Sequence, residues 1–132
     1  MYNVVIDTNV LVSGLISSYG NPAIIVNALK ANRIKVFYNA EILAEYEDVL
    51  NRECFGFNKY DINELLDVVI EIGIPVLVNK SIVPFKDEDD RVFYDVAVAG
   101  NSYLITGNTD DFPNEPFIIK PKDFVDMMEN TN

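Results

Sequence analysis

Apolar residues occur in two kinds of block along this chain. Short runs with no polar interruption appear at Val4-Val5-Ile6, Val36-Phe37-Tyr38, Val76-Leu77-Val78, Tyr103-Leu104-Ile105 and Phe117-Ile118-Ile119. Such runs read as strands buried on both faces. Between them, apolar residues return every three or four positions, the period of a helix with one inward face. The spacing predicts a short helix after Asp7, broken at Gly20-Asn21-Pro22, and then a helix whose stripe is Ile24, Ile25, Ala28 and Leu29. Further helices are predicted over 40–52 (Ile42, Leu43, Tyr46, Val49, Leu50) and 61–72 (Ile62, Leu65, Leu66, Val69), the second stopped by Gly73 and Pro75. A helix over 89–100 carries Phe93, Val96, Ala97 and Gly100, and Pro121 opens a last one with Phe124, Val125 and Met128 inward. This βα alternation predicts a three-layer α/β/α domain with a central, mainly parallel sheet of about five strands. No linker, repeat or low-complexity segment divides it, so a single domain over 1–132 is expected.

Hydrophobic residues make up 49% of the chain, which places it with globular rather than disordered sequences. No apolar stretch approaches the roughly 20 residues a membrane helix needs, and the first run stops at Asp7, so neither a span nor a leader is expected. Cys54 is the only cysteine, which removes an internal disulfide and a thiolate zinc cluster and fits a reducing cytoplasm. Histidine is absent, which removes Ser-His and Cys-His triads. Any ionisable chemistry here is therefore mostly carboxylate. The net charge of −11 argues against loose electrostatic binding of nucleic acid, but not against an oxygen-lined seat for Mg²⁺ or Mn²⁺.

Carboxylates gather at four places. Asp7 ends the first apolar run, followed by Thr8 and Asn9 with helix-capping chemistry. In an open parallel sheet, the carboxyl ends of strands are where ligands bind. Glu45 lies at the edge of its helix stripe, while Glu41 and Asp48 point further out. Asp87-Glu88-Asp89-Asp90 precedes the Phe93 helix. Asp89 reads there as an ordinary N-cap and the others as first-turn acids complementing the helix dipole. Four consecutive acids exceed what a cap needs, and the wheel turns Asp90 toward the sheet and Asp95 toward solvent. Thr106-Gly107-Asn108-Thr109-Asp110-Asp111 follows a buried strand, with the composition of a turn. Clustered carboxylates without basic partners ionise only at a cost, which one or two divalent cations remove.

Residues 5–13 (Val-Ile-Asp-Thr-Asn-Val-Leu-Val-Ser), the Glu45 helix, Asp-Glu-Asp-Asp-Arg-Val-Phe at 87–93 and Leu-Ile-Thr-Gly-Asn at 104–108 together resemble the PIN domain family. The branch they are most similar to is the toxin component of toxin–antitoxin pairs. The resemblance implies a metal-dependent endoribonuclease acting on single-stranded RNA, with Mg²⁺ or Mn²⁺ as cofactor, a cognate antitoxin as partner and a homodimer as assembly. By that likeness Asp7, Glu45 and Asp90 match the family's acidic triad, and Asn9 and Thr106 its strand-end polar residues. Asn108 stands where a fourth acid is frequent, so Asp87, Asp110 or Asp111 is the substitute ligand. Two other readings compete. A phospho-acceptor receiver domain would use Thr106 and Lys120, but the first strand ends in one acid rather than two, and Val76-Leu77-Val78-Asn79-Lys80 lacks the acceptor aspartate. A PIN-like scaffold without activity would serve as a binding module.

Overall fold

A computed structural model describes residues 1–130; the last two positions of the expected 1–132 domain lie outside the described residues. The elements run β1 (Asn3–Ile6), α1 (Thr8–Ile16), α2 (Asn21–Lys30), β2 (Lys35–Tyr38), α3 (Ala40–Leu50), α4 (Lys59–Ile72), β3 (Ile74–Pro75), α5 (Glu88–Ala99), β4 (Tyr103–Ile105), a 3-10 turn (Thr109–Asp111), β5 (Ile118–Ile119) and α6 (Pro121–Asn130). The five strands pair in the order β3-β2-β1-β4-β5, every pair parallel. Helices flank the sheet in the expected three-layer α/β/α arrangement. Val4, Val5, Ile6, Leu104 and Ile105 are fully buried at its centre, which is why those runs carry no polar residue.

The strand order decides two matters. It reverses direction between β1 and β4, so the carboxyl ends of these two strands flank the crevice where open α/β sheets hold ligands. It also removes the receiver reading, whose sheet runs 2-1-3-4-5. α1 leaves β1 at that crevice and is seated against α2 at Gly14, where a Cβ would come within 2.5 Å of the Val26 side chain and 2.9 Å of the Pro22 carbonyl. Among the described residues no single helix is long and apolar enough to cross a membrane.

Four expectations are corrected. The third strand lies at Ile74–Pro75, one step before the Val76-Leu77-Val78 run; only the Val76 amide still reaches the sheet, bonding the Tyr38 carbonyl at 2.9 Å, and Leu77 is fully exposed. Ile24 is exposed, because the buried face of α2 is formed by Ala23, Ile25, Val26, Ala28 and Leu29. The N-cap of α5 is Asp87, whose carboxylate accepts from the Asp89 amide at 2.9 Å, and not Asp89. Asp95 is buried rather than solvated: the segment between β3 and α5 folds back over this face, and its Ser81 amide donates to the Asp95 carboxylate at 3.1 Å.

Candidate metal centre

Each of the three principal acids is next in sequence, or one helical turn away, from a core residue that touches the others. Asp7 follows Ile6, Glu45 precedes Tyr46, and Asp90 lies one turn before Phe93. Tyr46 donates its hydroxyl to the Ile6 carbonyl, and its ring packs on Phe93 with centroids 6.4 Å apart. All three side chains are essentially fully buried. The packing of β1, α3 and α5 therefore brings Asp7, Glu45 and Asp90 toward the same rim of the sheet, near enough that Asp7 raises the pKa of Glu45 and both raise that of Asp90, while among the described residues no three acids stand together as a metal-binding group. Burying that tyrosine also raises its own pKa, first through desolvation and then through the Asp7 and Glu45 charges.

Two threonines hold the acids in place. Thr106, fully buried at the end of β4, donates its hydroxyl to Asp7 Oδ2 at 2.8 Å and accepts the Asn108 amide at 3.0 Å. This bond spans the β1/β4 crevice. Thr8, buried at the start of α1, donates to Glu45 Oε2. Asn9, expected in a supporting role, is exposed. A signal for Thr8 exists in the sequence: both residues that share its helix face, Leu11 and Val12, are apolar, whereas Asn9 shares its face with Val12 and the polar Ser13.

The electrostatics follow mainly from burial and from the acids' own charges. Burial raises the Asp7 carboxyl above its ordinary range, against the pull of the Thr106 bond, and the Asp111 charge adds to the rise. Glu45 is raised by partial burial and then by Asp7 and Asp89, with the Thr8 bond and the Arg52 charge opposing. Asp90 is pushed up to about 6, first by burial and then by Asp7, Asp87, Asp111 and Glu45. The fourth acid felt at this rim is thus Asp111, together with the capping Asp87. Asp110 is exposed on the 3-10 turn, and Asn108 contributes its backbone amide to Thr106.

These shifts set a pH dependence. Between the ordinary carboxyl range and about 6, folded Asp90 holds a proton that the unfolded chain has released. Its contribution to stability is therefore full at low pH and is lost as pH rises through about 6. Asp7 and Glu45 shift in the same direction; Glu88, lowered by its bond from Arg91, opposes them weakly from an exposed position. The expected result is a metal-free protein that melts higher at about pH 5 than at about pH 7.5. Millimolar Mn²⁺ should narrow the gap, because a cation favours the ionised acids. A melting temperature that rises with pH and ignores Mn²⁺ would contradict this description of the rim.

Comparison with known proteins adds a family to the geometry. The chain is 31% identical over 114 residues to Uncharacterized protein MJ1680 of Methanocaldococcus jannaschii, an alignment covering 81% of this chain and 71% of that protein. The family described as PIN domain matches residues 3–110, a span that includes Asp7, Glu45, Asp90 and Thr106 and the switch-point crevice between them. The chain belongs to the PIN domain family.

Proposed function

We propose that this chain is a divalent-metal-dependent endoribonuclease that cuts single-stranded RNA, and that it is the toxin of a toxin–antitoxin pair. PIN domains form a nuclease superfamily, which supplies the reaction class. What supports the reading is the placement of Asp7, Glu45 and Asp90 at one rim, where Asp7 raises the pKa of Glu45 and both raise that of Asp90, with no buried basic partner for them among the described residues.

The donor set fits Mg²⁺ or Mn²⁺: it is all oxygen, and its members raise one another's pKa, a repulsion that a cation relieves. Among the described residues no three such side chains already stand as a ready ligand group, so seating an ion takes a rearrangement of these side chains. Asp7, Glu45 and Asp90 are the assigned ligands. Asp87 and Asp110 are further ligands in this reading, and Asp111, whose charge reaches both Asp7 and Asp90, joins them. Thr106 orients Asp7 and Thr8 orients Glu45, while Asn9 and Asn108 support the rim. The chemistry that a bound divalent ion supplies is Lewis-acid activation of water and phosphate. The homodimer and the cytoplasmic setting belong to the same reading.

The −11 charge makes the chain a poor match for a polyanion and a good one for a basic antitoxin segment. An Arg or Lys from that segment, placed among Asp7, Glu45 and Asp90, competes with the metal for the same carboxylates. Inhibition should therefore weaken as Mn²⁺ rises, and changing the inserted basic residue to Ala should restore cleavage. Inhibition independent of metal, by a partner bound far from the rim, would overturn this mechanism while leaving the nuclease reading standing. A chain that binds RNA and metal without cutting would instead support the inactive binding module.

A further inference from the structure

The nuclease reading gives no role to Arg91, a buried cation one residue beyond Asp90. It is 8% exposed, and burying a guanidinium is tolerated only when it is fully paired. Its Nε donates to both carboxylate oxygens of Glu88 at 3.2 and 3.0 Å, and Nη2 to Glu88 Oε1 at 2.8 Å. Nη1 turns the other way and donates to the Ser81 carbonyl at 2.8 Å and the Ser81 hydroxyl at 3.0 Å. The guanidinium carbon lies 4.9 Å from the centroid of the Phe85 ring. One turn further along α5, buried Asp95 takes the Ser81 amide. The amide, carbonyl and hydroxyl of Ser81 are thus all held by side chains of one helix. Among the described residues, the strap from Leu77 to Lys86 has no backbone-to-backbone bond to the rest of the fold, so side chains hold it: this clasp at Ser81, and Phe85, whose ring meets those of Tyr94 and Phe112 edge-on at 5.6 and 6.0 Å.

The strap runs directly into Asp87, the N-cap of α5, and so sets where the helix begins and how its first turn faces. Glu88 is drawn aside by Arg91 and, at 3.7 Å, by Lys80. We propose that Arg91 is a positioning residue of the acidic rim: its planar fork pins the strap at Ser81 and draws Glu88 out of the run, so that the first turn of α5 holds Asp90 toward Asp7 and Glu45. A lysine keeps the charge but cannot bond a carboxylate and a peptide carbonyl in one plane.

The inference rests on the metal-centre reading, so the test uses Mn²⁺ itself as probe and measures free Mn²⁺ by electron paramagnetic resonance, well below each variant's melting temperature. For Arg91→Lys the Mn²⁺ Kd should rise about tenfold, the range seen for residues that orient metal ligands. Its kcat on RNA should fall while KM stays near the wild-type value. Glu88→Gln, which keeps a hydrogen-bond acceptor for Arg91 but removes its countercharge, should move both quantities in the same direction. The double variant should lose less than the two single losses combined, because the residues act as one clasp. Glu47→Gln, exposed on α3, is the control and should bind Mn²⁺ as wild type does. Should Arg91→Lys fail to fold, Glu88→Gln and Ser81→Ala carry the test. Wild-type Mn²⁺ affinity in these variants, with only a lower melting temperature, would overturn the positioning role and leave the metal centre intact. No Mn²⁺ binding by the wild type would overturn both.

Discussion

Asp7→Asn is expected to lower RNA cleavage by roughly two to three orders of magnitude, the scale at which removing one charge-stabilising group acts on a reaction that develops charge. The fold should survive. Asn keeps the size of Asp, and its Oδ1 still accepts the Thr106 hydroxyl that spans the β1/β4 crevice. Its neutrality removes a carboxylate that burial already disfavours in the ionised form, so the metal-free variant should melt at the wild-type temperature or above it. Activity and stability are thus expected to move in opposite directions, which a merely structural role for Asp7 does not predict. Circular-dichroism melting beside single-turnover cleavage separates the two. Glu47→Gln is the appropriate control, since Asp95 is buried and holds Ser81. Equal activity of Asp7→Asn and Glu47→Gln would remove Asp7 from the site.

The second large effect lies under the acids. Phe93 is 1% exposed and packs on Tyr46, which in turn bonds the β1 backbone at Ile6. Phe93→Ala should destabilise the fold by about 3–5 kcal/mol, the range for emptying a buried aromatic site. Because α3 and α5 meet through this ring, the variant should also lose cleavage at temperatures where it remains folded. Tyr46→Phe isolates the polar part: it keeps the ring contact, loses the hydroxyl to Ile6 and should cost about 1–2 kcal/mol. Urea unfolding of both variants checks the ranking. A Phe93→Ala protein as stable as wild type would mean that the three elements are held together by something other than this contact.

How much of this was legible in the sequence depends on which interactions are local. β1 and Asp7 are legible because three branched apolar residues followed by an acid mark both a buried strand and its end. The face of Asp90 follows from its helical spacing to Phe93. β3 is not legible at its true place. Val76-Leu77-Val78 has strand character, but at a sheet edge the neighbouring strand sets the register, and Tyr38 pairs with Pro75. The burial of Asp95 is not legible for a related reason. The wheel of α5 shows which face turns from the sheet, but not that the strap covers that face and presents Ser81 to it. The hold of Thr106 on Asp7 joins positions 99 residues apart, and only the switch between β1 and β4 brings them together.

The most direct test of the central claim is cleavage of a labelled single-stranded RNA by the purified chain, free of any antitoxin, in three arms: with Mn²⁺, with excess EDTA, and with Mn²⁺ restored after EDTA. Cutting that stops with EDTA, returns with Mn²⁺ and is absent throughout in Asp90→Asn is the predicted result. Equal cutting in EDTA, or full activity in Asp90→Asn, would contradict a metal-dependent nuclease centred on Asp7, Glu45 and Asp90.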